Sequence, residues 1–149
     1  MIEFDAIGAA LKTALETVTV AQGAETDLGL VVHRGRRSID AEQMPCCVLV
    51  EGGAEPLERR AGRNGAQYVM QAEYAAHAYV PCDPDNPNVA GHAAIRDLLR
   101  ALFLDTTLGG RLRDLGFVAT DILPHVHGQA FVLVIVEFRA TFHTILSSA

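Results

Sequence analysis

Residues 68–80 read Tyr68-Val-Met-Gln-Ala-Glu-Tyr-Ala-Ala-His-Ala-Tyr-Val80, and this stretch decides the fold. From Tyr68 every second residue is apolar: Met70, Ala72, Tyr74, Ala76, Ala78 and Val80. The alternate positions carry Gln67, Gln71, Glu73 and His77. Side chains alternate between the faces of a strand, so this period predicts a long β-strand with one buried face. At about 3.3 Å per residue it spans roughly 40–50 Å, more than a small core can cover. One end of it is expected to project.

Working outward, residues 55–61 predict the other arm of a hairpin. Gly62-Arg-Asn-Gly65 supplies its turn, because Gly and Asn tolerate positive φ. Residues 46–51 predict a buried strand stopped by Gly52-Gly53. Residues 28–33 predict a short strand, followed by a polar surface loop over 34–45. Downstream, residues 129–146 predict a second very long strand. One face is Val132, Val134, Val136, Phe138, Ala140 and Phe142; the other is Leu133, Ile135, Glu137, Arg139, Thr141 and His143. Residues 117–123 predict a shorter strand. It follows a short helical turn through Leu112 and Leu115, closed by Gly116.

Two stretches have helical spacing instead. In residues 2–18, Phe4, Ile7, Leu11, Leu15 and Val18 form one apolar stripe, with Glu3 and Asp5 in the first turn where the helix dipole favours negative charge. In residues 88–104, Ile95, Leu98, Leu99, Leu102 and Phe103 form the buried stripe, and Arg96, Asp97 and Arg100 the wet face. The order is helix, three or four strands, helix, two strands. It predicts an α/β chain of the α+β kind: a mostly antiparallel or mixed sheet, two main helices packed on one face, and a projecting β-hairpin.

Composition narrows the function. The 149 residues suit one domain spanning 1–149, with little room for a separate cofactor module. Half of the residues are apolar and 20% are charged, as in a packed core. The net charge of −6 disfavours a domain that clamps nucleic acid by bulk charge. Glu3 and Asp5 stand where a signal peptide needs positive charge, and the longest apolar run, 131–136, is far short of a membrane span. A soluble protein made in the cytoplasm is expected. Cys46 and Cys47 are adjacent and Cys82 follows a proline, which predicts reduced, partly buried thiols.

Candidate chemistry is sparse. His125 and His127 would share a face if extended, and Cys82 or Asp121 could join them. No CxxC or HExxH accompanies them, and Pro124 and Gly128 make the pair read as a turn, so no metal is expected. The stretch from Asp83 to Asn88 fails the EF-hand pattern, with Pro87 at position five, Asn88 at six and Ala94 at twelve. A helix N-terminal cap with an early proline explains it better. Ser38, Ser147 and Ser148 are the only serines, and none sits in GxSxG. Cys46 and Cys47 head an apolar strand and read as core. No Walker loop or GxGxxG occurs. The chain is expected to be no enzyme and to carry no cofactor.

Arginine is more informative. It supplies 11 of the 12 cations, Lys12 being the other. Arg34, Arg36, Arg37, Arg59, Arg60 and Arg63 fall within residues 34–63, in one loop and one projecting hairpin. One reading is a solvated surface with pairs to Glu55 and Glu58. The other is a cationic patch that meets an acidic neighbour, a second copy of the chain or a phosphate backbone. These six are the candidate subunit-interface or lumen residues.

With the elements placed, the chain resembles the tail terminator (minor tail protein U-like) family of long-tailed bacteriophages. The resemblance rests on the amphipathic N-terminal helix, the short strand and Arg-bearing loop, and Met44-Pro-Cys-Cys-Val-Leu-Val-Glu-Gly-Gly53. It rests also on the long hairpin rich in Arg and Glu, and on Leu102-Phe-Leu-Asp-Thr-Thr-Leu-Gly-Gly-Arg111. The last is similar to the family's D-x-T-L-G-G-like turn, here Asp105, Thr107, Leu108, Gly109 and Gly110, and Leu-Gly-Gly is also the chemistry of a helix C-terminal cap. The resemblance covers most of the chain by order and spacing.

The resemblance implies a ring, usually a hexamer, on the head-proximal end of the tail tube. Its partners are further copies of itself, the major tail tube protein and a head-completion or connector protein. The ring ends tube growth and then presents a surface to the head. DNA passes through the lumen without sequence-specific binding, and no membrane is involved. The resemblance further implies a virion protein, at the head-proximal end of the tail, assembled in the bacterial host cytoplasm. The resemblance gives no role to His125, His127, Cys46, Cys47 or Cys82. The competing readings are another neck or head-completion protein, a non-viral small α/β binding domain, and a metal hydrolase using His125 and His127. A closed ring needs one edge of each subunit to fit a different edge of the next, and open sheet edges with a long hairpin are suitable parts.

Overall fold

The computed structural model of the chain describes residues 4–35, 39, 43–62, 65–123 and 130–146. Helix α1 (Phe4–Leu15) buries Ile7, Leu11 and Leu15, the stripe its spacing predicts. Short 3₁₀ turns follow at Val20–Gln22 and Leu28–Leu30. Then come β1 (Val32–Arg34), β2 (Cys46–Arg60), β3 (Ala66–Pro81), α2 (Pro87–Phe103), β4 (Asp114–Ile122) and β5 (Phe131–Leu146). The strands form one sheet in the order β1-β2-β3-β5-β4. β1 lies parallel to β2, and the other three pairs are antiparallel. The sheet is therefore mixed, as expected.

The two long strands pair with each other along their whole length, from Ala66 opposite Leu146 to Pro81 opposite Phe131. Their apolar faces coincide: Tyr74 opposes Phe138, Ala76 opposes Val136 and Ala78 opposes Val134. These six side chains are buried, in one core with Leu98 and Leu102 of α2 and the α1 stripe. Both helices lie on this face of the sheet. Phe4 of α1 meets Phe142 edge-on with ring centroids 5.4 Å apart. At the other end α2 comes close enough that a Cβ on Gly91 would sit 3.2 Å from Ile122 and 3.4 Å from Val134.

Several sequence expectations need correction. Gly52-Gly53 does not stop the strand. β2 runs on to Arg60 through a bulge between Glu51 and Ala54. A Cβ on Gly52 would lie 2.9 Å from the Glu73 carbonyl oxygen, so the bare glycine lets the two backbones approach. Residues 114–116 are not part of a helical turn. Leu115 pairs with Ala140 and is buried, because β5 offers a ladder and a core that a local turn does not. The run before His33 is a 3₁₀ turn, which leaves β1 only Val32–Arg34, so Arg34 closes a strand where a loop was expected. Asp97 is not on a wet face. It is 5% exposed and accepts hydrogen bonds from the Glu25 and Thr26 amides and the Thr26 hydroxyl. The buried stripe of α2 is accordingly rotated to Gly91, Ala94, Asp97, Leu98 and Leu102.

The hairpin does project, but not as two strands. Residues from Glu51 to Arg60 of β2 are exposed, β3 runs beside them, and β5 accompanies β3 to its far end. Pro87 is the first-turn proline of α2, as expected. Asn86 precedes it without a side-chain capping bond, and the Asp83 carboxylate receives the Asp85 amide instead, closing a turn.

Candidate assembly interface

Arg34 is held inside the subunit. Its guanidinium bonds Glu51 at 2.8 Å and Asp5 at 3.1 Å, joining β1, β2 and the first turn of α1. The Glu51 hydrogen bond outweighs partial burial and, with Asp5, raises the Arg34 pKa above its ordinary value. The Arg34 Nε is buried without a hydrogen-bond partner among the described residues. The α1 residue over this cluster is Gly8, where a Cβ would overlap the Glu51 carboxylate and the guanidinium. Arg34 thus anchors α1 to the sheet.

Arg59 and Arg60 are exposed at the far end of β2 and make no ion pair among the described residues. Arg59 opposes Tyr68 and Arg60 opposes Gln67, so their side chains leave on opposite faces of the sheet. Arg36, Arg37 and Arg63 lie outside the described residues, as do His125 and His127. The structure therefore brings none of the described arginines of this set together into one patch.

Two open edges flank the sheet. One is β4. The other is β2 beyond Leu49, where the three residues of β1 end. The Cys47 amide bonds the Val31 carbonyl and the Gly35 amide bonds the Leu49 carbonyl, so Cys47 and Leu49 turn their backbone groups toward β1. The residues between them turn theirs toward β3. The phase carried along β3 puts Pro56, opposite Met70, with its nitrogen on the open side. A proline is tolerated there because no ladder bond is lost. Bulges interrupt both edges, between Pro56 and Glu58 on β2 and between Phe117 and Ala119 on β4. With the charges on β2 they act against indiscriminate strand addition.

Each edge also exposes apolar side chains. Leu57 is 51% exposed on β2, while Phe117 is 54% and Val118 40% exposed on β4. Phe117 rests edge-on against Phe103 of α2, with centroids 6.3 Å apart. Sequence reading placed Phe117 in a strand but gave no reason to single it out. Only the sheet order makes that strand an edge.

The turn after α2 is built as a unit. The Asp105 carboxylate accepts from the Thr107 amide at 3.0 Å, the Thr107 hydroxyl at 2.8 Å and the Gly109 amide at 2.8 Å. Leu108, Gly109 and Gly110 all have positive φ, at 47°, 68° and 90°. A leucine there carries backbone strain, and Leu108 offsets it by burying its side chain in the core. The Gly109 amide, then Thr107, holds the Asp105 carboxyl below its ordinary pKa. Its folded-state value is depressed, so its contribution is present above the unfolded value of 3.8 and fades as pH falls through the folded value. Asp105→Ala is expected to lower the melting temperature at pH 7. The gap to wild type should narrow steadily below pH 4, and a gap independent of pH would show that the carboxylate is not what holds the turn.

The thiols of Cys46, Cys47 and Cys82 are unpaired. Burial pushes the Cys47 thiol up to about 12, consistent with an inert core residue. Among the described residues no group of three or more His, Cys, Asp and Glu is placed to hold a metal ion. Among them, too, no helix is long and apolar enough to cross a membrane.

The chain shares its fold with a chain of a solved virion particle. A chain of the virion of the native gene transfer agent (GTA) particle matches it with a TM-score of 0.54 and 16% identity, over 93% of this chain and 98% of that chain. No family model and no curated protein matches the sequence. At this identity the likeness establishes the fold, and it does so for nearly the whole of both chains.

Proposed function

We propose that this chain is a structural subunit of a phage-like virion, and within it the tail terminator. The near end-to-end likeness to a chain of the gene transfer agent virion carries the reading. Helix, short strand with its Arg-bearing loop, proline-led strand, long hairpin and Asp105 turn support the finer assignment, because in the sequence they follow one another in the order of the terminator family.

In this reading copies of the chain, six in the usual family ring, close on the head-proximal end of the tail tube. The ring blocks further addition of tube protein and then offers its free face to a head-completion protein. DNA passes through the lumen without base-specific contact. The chain acts by binding alone, and no bond is made or broken. Two open edges on opposite sides of one sheet favour a head-to-tail contact, the kind that generates rings.

Deleting the gene from its phage or prophage is expected to give tails of uncontrolled length that fail to join heads. Electron microscopy of lysates reads the result directly. Normal tails would sink the proposal. Tails of normal length that stay unjoined would favour the other neck role, head completion, which the same virion likeness accommodates.

A further inference from the structure

We propose that successive copies of this chain meet edge to edge and antiparallel, with Leu57 of one copy seated on Phe117 and Val118 of the next and Arg60 opposite Asp114. The inference rests on the ring reading above and names the contact that builds the ring.

Topology sets the direction. The β2–β3, β3–β5 and β5–β4 pairs are each antiparallel, so β4 runs opposite to β2. A neighbour set beside the first copy in the same orientation presents its β4 to the open edge of β2, antiparallel. The two surfaces differ, so the contact is heterologous and repeats in one direction until it closes.

The side chains fit this alignment. Leu57 is an extra residue in its strand, since Pro56 pairs with Met70 and Glu58 with Val69. Val118 is likewise extra, since Phe117 pairs with Phe138 and Ala119 with Glu137. Each bulge thus puts an exposed apolar side chain at the rim of the sheet. The same bulges, and the missing amide of Pro56, break any continuous ladder between copies. The contact is made by side chains, which gives it specificity against strangers.

Charge fixes the register. With Leu57 beside Phe117, an antiparallel count sets Glu58 against Gly116 and Arg60 against Asp114. No like charges meet in that stretch. Arg60, opposite Gln67, and Asp114, opposite Thr141, both lie on the sheet face away from the helices. Neither forms an ion pair among the described residues. Of the other charges nearby, Arg139 is already paired with Glu73 at 3.5 Å. Within its own sheet Asp114 is level with Glu55, through Thr141 and Gln71. The alignment therefore shifts each neighbour by four ladder positions, from the level of Gln71 to that of Gln67, or about 13 Å along the strand. A sheet that curves into a closed ring requires stagger of this kind.

The test uses the full chain with Cys82→Ser, the two remaining cysteines being buried. Arg60→Asp and Asp114→Arg are each expected to raise the protein concentration for half-assembly by about tenfold, read by light scattering. The combined exchange is expected to restore it. Leu57→Cys with Val118→Cys, oxidised, should give a ladder of covalent multimers ending at the ring size. Melting by circular dichroism checks that every variant folds. Rings that ignore both charge reversals and give no ladder would overturn this interface and leave the terminator reading intact. A ladder that stops at the dimer would also overturn it, because it means a two-fold contact. A wild-type chain that stays monomeric at every concentration would overturn the interface, and normal tails on gene deletion would separately remove the reading beneath it.

Discussion

Phe138→Ala is expected to lower the unfolding free energy by about 3–5 kcal/mol, among the largest single-site effects in the molecule. Phe138 sits in β5, an interior strand between β3 and β4, and is 1% exposed. It stacks on Tyr74 with centroids 5.6 Å apart and an interplanar angle of 14°. Its other cross-strand partner is Phe117. Truncation removes the ring from both neighbours and leaves a void under rigid sheet backbone on both sides, so little collapse can fill it. For a chain of this size the shift in melting temperature is about 6–20 °C. Thermal and urea unfolding measure it. Val89→Ala, 63% exposed in the first turn of α2, serves as the control and should cost under about 0.5 kcal/mol. A loss below about 1 kcal/mol for Phe138→Ala would mean that the core is not centred on this strand.

The second large effect is at Asp97. Asp97→Ala is expected to cost about 3 kcal/mol, because it leaves donors at the core boundary without an acceptor. Three hydrogen bonds converge on this one carboxylate: Glu25 amide at 3.1 Å, Thr26 amide at 2.7 Å and Thr26 hydroxyl at 2.6 Å. The neighbouring Arg96 holds the Glu25 side chain through two bonds of 3.0 and 3.2 Å. That outer pair is solvated and contributes little on its own. The inner carboxylate pins the connector between α1 and β1 onto α2. Asp97→Asn keeps the shape but replaces one acceptor by a donor, so an intermediate loss is expected. Hydrogen exchange gives an independent readout: the amides of Glu25 and Thr26 should lose protection ahead of global unfolding. Unchanged protection in Asp97→Ala would refute the clamp.

The contrast between these two residues shows where sequence reading works. Phe138 was legible as core because it lies on a two-residue period beside Val134, Val136 and Ala140. The period is a consequence of one buried face, and it needs no knowledge of the partner. Asp97 was placed on the wet face of α2 by the same logic applied to a helix. A lone carboxylate at a buried position has no periodic signature, since its acceptors are matched by amides 71 and 72 residues away. The ion pairs of Arg34 have no local signature either. Its charge placed it with the surface arginines, while Glu51 and Asp5 engage it from two other elements. Gly52-Gly53 read as a stop because glycine ends strands locally, yet pairing with β3 carries β2 through the bulge.

The candidate site divides along the same line. The Asp105 turn was legible because its hydrogen bonds span at most four residues. The arginine-rich stretch was legible as composition only. The open edges were not legible, because an edge is defined by which strand has no neighbour, and that depends on the order of all five strands.

By itself the sequence determined the helices, the two long strands, the single face that they bury and the turn chemistry, because these follow from side-chain spacing and backbone preference within one segment. It also carries the order of elements behind the resemblance to the tail terminator family, on which the finer part of the proposed function rests. Only the tertiary structure decided which charges are engaged, which glycines are bulges, and that β2 and β4 bound the sheet on opposite sides. Those outcomes depend on contacts between segments far apart in the chain. Such contacts form only after the core has drawn the segments together, so no local pattern encodes them.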